Sequence, residues 1–164
     1  HHATINYREA YNMFTCCGIL FNHESPLRGL EFVTKKITHT LAQIKFEKAK
    51  KIKLGNLDSK RDWGFAKDYV EAMWLMLQQK EPDDYVIATG ESHSVREFLQ
   101  LTSKHLELDN WNDLVELDKS VMRPSDIEEL LGDSTKAREN LKWVPKYDFD
   151  KLVEEMVEED CKNS

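Results

Sequence analysis

The side chains best suited to bind a ligand form four short clusters, and the first directly follows an apolar run. Phe14–Phe21 is rich in strand-forming residues, and the polar segment Asn22–Gly29 comes after it. Open α/β sheets bind ligands just beyond the carboxyl ends of their strands. We therefore interpret Asn22, His23 and Arg28 as candidate ligand contacts. The sequence leaves open the alternative that His23 is a structural loop histidine.

The other three clusters contain basic residues that an anionic ligand would need. Lys35 and Lys36 lie on the first turns of a predicted helix, where either lysine could face a phosphate. Arg61 lies between a predicted strand and helix, and Arg123 precedes a predicted helix N-terminus. Guanidinium groups bind phosphate through paired hydrogen bonds, and a helix N-terminus adds donors and a favourable dipole. Ordinary alternatives stay open: a solvated lysine, a surface pair of Arg61 with Asp58 or Asp62, and a chance arginine before an N-capped helix.

No catalytic motif accompanies these clusters. The sequence has no glycine-rich phosphate loop after a strand, no nucleophile elbow and no histidine pair with metal-ligand spacing. Cys16 and Cys17 are adjacent and Cys161 is distant, so the cysteines form neither a zinc motif nor a disulfide framework. We expect free thiols in a reducing cytoplasm, no metal site and no catalytic residue.

Hydrophobic periodicity predicts the elements that would position the clusters. Predicted helices cover residues 3–13, 30–45, 64–79, 94–106, 125–132, 134–141 and the segment after Asp148. Predicted strands cover residues 14–21, 52–54, 85–89 and 114–117. We expect the strand at 14–21 to be buried on both faces, and the helix at 64–79 to be largely buried with Met73 and Met76 in the core. This order of elements predicts an α/β fold with a partial parallel sheet and a helical appendage.

The composition excludes several classes of protein. The chain has 164 residues, of which 40% are hydrophobic and 32% are charged, so it is globular and not disordered. The net charge of −7 argues against a nucleic-acid partner. No apolar run reaches the roughly 18–20 residues of a membrane span, and the N-terminus does not resemble a signal peptide. We interpret His1 and His2 as the remnant of an expression tag.

Longer segments of the sequence carry a more specific signal. Between about Ile5 and Met156 the chain contains, in this order, ILFNHESPLRG, FVTKKI, LGNLDSKRDWGFAKDYVEAMWLMLQ, YVIATGESHSVREF and RPSDIEELLGDSTKARENLKW. Together they resemble the GDP-mannose 4,6-dehydratase family of the extended short-chain dehydrogenase/reductase group. The resemblance implies an N-terminal Rossmann domain for NADP and a smaller, mainly helical domain for the nucleotide sugar.

The activity that the resemblance implies is a dehydration without net oxidation. NADP⁺ oxidises C4 of the mannose ring, water is lost across C5 and C6, and the hydride returns to C6. The product is GDP-4-keto-6-deoxymannose, a precursor of GDP-fucose.

The resemblance also implies that this chain begins after the helix that carries the family's catalytic tyrosine and lysine. The N-terminal NADP-binding half would then be missing, so no catalytic residue is carried over and we expect binding without turnover. We assign residues 3–29 and 64–93 to the C-terminal strands and helices of a Rossmann-type sheet. Residues 30–63 and 94–160 are assigned to the substrate-binding domain.

Binding residues are carried over individually from the family's motifs. His23 and Arg28 match positions that contact NADP, although Leu27 stands where the family often has a basic residue. The positions that match substrate contacts are Asn22, Val33, Lys36, Leu54, Gly55, Asn56, Arg61, Arg123 and Asp126. Asp126 replaces the family's usual glutamate with a side chain one methylene shorter.

We thus predict GDP-mannose as the substrate, NADP as the cofactor, no membrane partner, a cytoplasmic location and a homodimer or homotetramer for the parent enzyme. Two alternatives remain open. The first is another nucleotide-sugar epimerase or dehydratase of the same fold group, which a nucleotide panel would distinguish. The second is a stand-alone GDP-sugar-binding module, which would bind without catalysis.

Overall fold

The computed structural model describes residues 1–118, 120 and 127–164, and these residues form an α/β fold of short strands and helices. The helices are α1 (His2–Tyr11), α2 (Val33–Lys45), α3 (Ala66–Met76), α4 (Val95–His105), α5 (Trp111–Leu114), α6 (Thr135–Leu141) and α7 (Phe149–Lys162). The strands are β1 (Gly18–Leu20), β2 (Asn22–Glu24), β3 (Ile52–Leu54), β4 (Lys60–Arg61), β5 (Trp63–Phe65), β6 (Tyr85–Ile87), β7 (His93–Ser94), β8 (Val115–Leu117) and β9 (Glu129–Leu130).

The strand pairs are mostly parallel, which confirms the predicted α/β class. β1 pairs with β6, β2 with β5 and β3 with β8, all in parallel. β4 pairs antiparallel with β7 and parallel with β9. Parallel pairs need long crossover connections, and helices lie in each of them here.

The apolar run at residues 14–21 forms less strand than predicted. β1 begins only at Gly18, and Ile19 is 49% exposed, so the prediction of burial on both faces is wrong. Asn22–Glu24 was predicted as a loop but is strand β2, because main-chain pairing with β5 does not require apolar side chains. His23 lies opposite Gly64, where a Cβ atom would be only 2.4 Å from Cε2 of Tyr69.

Helix α3 is shorter than predicted and is buried on one face only. Tyr69, Ala72 and Met76 are buried against β6 and α6. The opposite face exposes Val70, Met73, Trp74 and Leu77, of which Met73 is 38% exposed. The predictions of a largely buried helix and of Met73 in the core are therefore wrong. The sequence is apolar all around this helix, so periodicity could not show which face packs.

Two further helix predictions need correction. Helix α2 begins at Val33 and not at Leu30, because the amide N of Phe32 donates to the carbonyl of Gly29 in a turn. The helix predicted at 125–132 is replaced at residues 129–130 by strand β9, while residues 125 and 126 lie outside the described residues. The predicted capping box of Ser94 and Glu97 and the cap at Asp148 are confirmed.

The buried apolar side chains form two clusters. The larger joins α2, α4 and α7 to β3 and β5, and it includes Ile37, Phe98 and Leu152. The smaller joins α3 to β6 and α6, and it includes Tyr69 and Trp143. In the described part of the chain, no helix has both the length and the apolar character needed to cross a membrane.

The side chain of Asp62 connects three segments of the chain. It is completely buried, and its carboxylate accepts hydrogen bonds from the amide N of Thr89 at 2.9 Å, Thr89 Oγ1 at 2.7 Å and the amide N of Gly90 at 2.9 Å. The amide N of Gly132 lies 3.3 Å from the same carboxylate. Asp62 therefore fixes the β4–β5 segment to the turn after β6 and to the segment after β9.

Asp62→Ala should lower the free energy of unfolding by about 3 kcal/mol or more, because several buried donors would lose their shared acceptor. Asp58→Ala is the matched control: this aspartate is exposed and paired with Arg96, so its loss should cost less than about 1 kcal/mol. Urea unfolding of both variants measures the difference. Equal losses would contradict this role for Asp62.

Candidate functional site

A cleft of about 400 Å³ lies between the end of β2, the start of α2 and the turn after β3. Its walls combine backbone, polar side chains and two aromatic rings. The lining residues are Asn22, Glu24, Glu31, Phe32, Val33, Thr34, Lys36, Leu54, Gly55, Asn56, Ser59, Arg61, Trp63 and Val95.

The cleft brings together every predicted substrate-binding residue that the structure describes. These residues come from three separate segments of the chain, namely residue 22, residues 33–36 and residues 54–61. They are Asn22, Val33, Lys36, Leu54, Gly55, Asn56 and Arg61. Arg123 and Asp126 lie outside the described residues. His23 and Arg28, the predicted cofactor contacts, flank the cleft without lining it.

The first turn of α2 gives the cleft its cationic wall. Phe32 is the N-cap residue and makes no side-chain capping bond, so it leaves the first amide groups of α2 open to another acceptor. Val33, Thr34 and Lys36 from this turn all line the cleft. Amide donors, the helix dipole and an ammonium group thus act together toward an anion.

The turn after β3 forms the opposite wall. Asn56 Oδ1 accepts from the amide N of Asp58 at 2.9 Å, and Asn56 Nδ2 donates to Ser59 Oγ at 2.8 Å. Both ends of this amide therefore shape the turn. Arg61 Nη1 donates to the carbonyl of Ile127 at 2.8 Å, which connects the arginine to the segment before β9.

The surface-pair alternative for Arg61 involved two aspartates that both have other partners. Asp58 forms an ion pair with Arg96 at 2.8 Å, and Asp62 is buried among backbone donors. Spacing in the sequence could not separate the exposed aspartate from the buried one.

Glu24 is a site residue that the sequence reasoning missed. It is 1% exposed, accepts from Thr34 Oγ1 at 2.6 Å and lies 3.1 Å from Arg28 Nε. The guanidinium carbon of Arg28 in turn lies 3.5 Å above the ring of Phe32. Glu24 thus links the end of β2 to Arg28 and to the first turn of α2.

The ring of His23 has a fixed orientation. Nδ1 lies 3.0 Å from the carbonyl of Phe21, so it donates to that oxygen, and the ring packs against Tyr69 with centroids 5.4 Å apart. With Nδ1 used in this way, Nε2 is the ring atom that can meet a ligand.

The ionisable groups of the cleft suit binding better than proton transfer. Among the described lining residues they are Lys36, Arg61, Glu24 and Glu31, and Glu24 is already paired with Arg28. Convergent cations and helix amides favour a phosphate or diphosphate group.

Solved structures with the same fold include RMD from Pseudomonas aeruginosa complexed with NADPH, with a TM-score of 0.89 and 16% identity over 99% of this chain and 53% of that chain. UDP-glucose 4-epimerase from Thermotoga maritima gives a TM-score of 0.82 and 19% identity over 99% of this chain and 50% of that chain. The fold is therefore that of the Rossmann-type short-chain dehydrogenase/reductase epimerases and dehydratases.

Sequence relatives identify the family. Residues 1–156 match the family described as GDP-mannose 4,6 dehydratase, and the chain belongs to it. GDP-mannose 4,6 dehydratase 1 of Arabidopsis thaliana is 58% identical over 98% of this chain and 44% of the relative. The human GDP-mannose 4,6 dehydratase is 51% identical over 95% of this chain and 46% of the relative. The chain thus spans about half the length of the curated relatives it matches.

The family match corrects one sequence interpretation. It includes His1 and His2, and His2 is the first residue of α1, so these histidines are not the remnant of a tag.

The pKa of Glu24 predicts a specific pH dependence of stability. Burial raises the pKa of this carboxyl above its ordinary value of 4.5, and the hydrogen bond from Thr34 and the charge of Arg28 oppose that rise only in part. The folded state therefore holds the proton more tightly than the unfolded state. The resulting contribution to stability is complete below the ordinary pKa and is lost as the pH rises through the raised pKa.

Glu24→Gln removes this titration. The free energy of unfolding of the unchanged chain, minus that of Glu24→Gln, should fall as the pH rises above the ordinary pKa of 4.5. Thr34→Val should move the fall to higher pH, because the bond it removes lowers the pKa. Urea unfolding across this range tests both variants, and a difference that is constant with pH would contradict the assignment.

Proposed function

We propose that this chain is the nucleotide-sugar-binding portion of a GDP-mannose 4,6-dehydratase, which converts GDP-mannose to GDP-4-keto-6-deoxymannose and water. The observation that carries the proposal is the convergence of the motif residues on one cleft. Asn22, Lys36 and Arg61 are far apart in sequence, yet all line it. The relatives named as GDP-mannose 4,6 dehydratases support the same substrate.

The diphosphate of GDP would lie against the first turn of α2. Lys36 and the first amides of this helix supply the positive potential, and Arg61 approaches from the opposite wall. Charge-assisted hydrogen bonds contribute roughly 1.5–3 kcal/mol each, so a few of them hold a nucleotide even on an acidic chain. Arg123 and Asp126, which lie outside the described residues, remain predicted contacts for the diphosphate and a ribose hydroxyl.

A nicotinamide cofactor would bind beside the cleft, next to His23 and Arg28. When bound, it would take up and return the hydride of the dehydration. His23 offers Nε2 beside the cleft, and Arg28 is held in place by Glu24 and Phe32. These two residues fit an anionic dinucleotide, since one is a fixed cation and the other an oriented imidazole. NADP is the proposed form of the cofactor.

Binding and orientation are the proposed tasks of this chain, because the ionisable groups that line its cleft suit an anionic ligand. Its two proposed domains are residues 3–29 with 64–93 and residues 30–63 with 94–160. The dimeric or tetrameric assembly of the parent enzyme and the cytoplasmic location also remain proposals.

The proposal predicts selective binding of GDP by this chain. Lys36→Met should weaken the binding of GDP more than tenfold, which corresponds to a loss of about 1.4 kcal/mol or more in binding free energy. Lys53→Met is the matched control: Lys53 is exposed on β3 and faces Glu116, so its loss should change the affinity less than about twofold. Isothermal titration with GDP, UDP and dTDP measures each dissociation constant.

Each alternative predicts a different result. Equal affinity for UDP or dTDP would favour another nucleotide-sugar epimerase or dehydratase. GDP binding that Lys36→Met leaves unchanged in a folded protein would remove this cleft from the proposal.

A further inference from the structure

Three side chains with metal-ligating atoms meet at the amino ends of β1 and β6. Cys17 directly precedes β1, Asp84 directly precedes β6, and His1 directly precedes α1. One ligand atom from each lies within 4.8 Å of the other two, and His1 Nδ1 is 3.6 Å from Asp84 Oδ2. None of the three residues lines the nucleotide cleft.

The separation of His1 and Asp84 suits a small tetrahedral ion. Zinc binds imidazole nitrogen and carboxylate oxygen at about 2.0–2.2 Å and thiolate sulfur at about 2.3 Å. Neighbouring ligand atoms of such a tetrahedron are about 3.3–3.7 Å apart, as His1 and Asp84 already are. A nitrogen, sulfur and oxygen set is typical of zinc, whereas calcium and magnesium take oxygen ligands.

The surroundings of Asp84 orient its carboxylate for this role. Oδ1 accepts from the amide N of Cys17 at 2.8 Å and forms an ion pair with Arg8. Its Oδ2 atom faces His1. Hydrogen-bond and ion-pair partners of this kind commonly fix the orientation of a metal-ligating side chain.

A metal would also add a connection between α1 and the two strands. Helix α1 has no buried residues and is held through polar contacts of Arg8 with Asp84 and with the carbonyl of Thr15. An ion bound by His1, Cys17 and Asp84 would connect this helix to the start of both strands.

We propose that His1, Cys17 and Asp84 bind one zinc ion, with water as the fourth ligand. Binding would stabilise the folded chain by mass action and would require Cys17 as the thiolate. The sequence predicted no metal site because the three ligands are far apart in the chain and form no recognisable spacing.

The test uses the full chain purified without a polyhistidine tag. Cobalt is the spectroscopic probe, because a thiolate ligand gives it a charge-transfer band in the near ultraviolet. Zinc affinity is measured by competition with a chromophoric chelator. We expect one ion per chain, a thiolate band that Cys17→Ser abolishes, and at least about tenfold weaker zinc binding in Cys17→Ser, Asp84→Asn and His1→Ala.

Each ligand has a neighbour of the same residue type, which supplies matched controls. Cys16→Ser, Asp83→Asn and His2→Ala should keep the band and the zinc affinity. Cys16 instead contacts the carbonyl of Met76, and Asp83 pairs with Lys136 at 2.7 Å. Circular dichroism with chelator present checks that each variant is folded.

Thermal unfolding provides an independent measurement if Asp84→Asn disturbs the bond with Arg8. Zinc should raise the melting temperature of the unchanged chain and of Cys16→Ser, but not that of Cys17→Ser. Overturning results are a cobalt band that survives Cys17→Ser, or ligand and control variants that lose affinity equally. Several weak sites per chain would show adventitious binding only.

Discussion

Asp62 brings a carboxyl group into the interior, and the hydrogen-bond donors around it hold three segments of the chain in one arrangement. Its neighbours on either side, Arg61 and Trp63, both line the cleft. The position of the cleft wall that contains Arg61 and Trp63 therefore depends on the hydrogen bonds of Asp62, which lies between them. A buried carboxylate is costly unless it is satisfied, and Thr89, Gly90 and Gly132 supply the donors.

The start of α2 holds the other wall of the cleft in position. Consecutive residues there have different functions. Thr34 donates to Glu24, and Lys35 is buried with its ammonium bonded to Asp160 at 2.6 Å and to the carbonyl of Pro26 at 2.9 Å. Lys36 is the residue that lines the cleft. One helical turn thus fixes the loop that carries Arg28 and also presents the cation proposed for the diphosphate.

Periodicity in the sequence predicted the fold class, and the family motifs named part of the cleft lining but not Glu24. The sequence could not predict which members of similar pairs are buried. Asp58 and Asp62 have the same side chain and flank the same lysine–arginine pair, yet their environments are opposite. That difference arises from contacts with residues near 89 and 132, which no local pattern contains. The exposed face of α3 was missed for a related reason, since apolar residues surround the whole helix.

The close approach of Gly64 to Tyr69 has a consequence for how this family of sequences can change. The ring occupies the space that any side chain at residue 64 would need, with Cε2 at 2.4 Å and the hydroxyl at 2.7 Å from a Cβ there. Because strand β2 pairs at this point, the backbone has little freedom to retreat. A larger residue at 64 becomes acceptable only after the aromatic residue at 69 has been replaced by a smaller one. The two positions are therefore expected to covary among relatives, and a library randomised at 64 alone would return glycine.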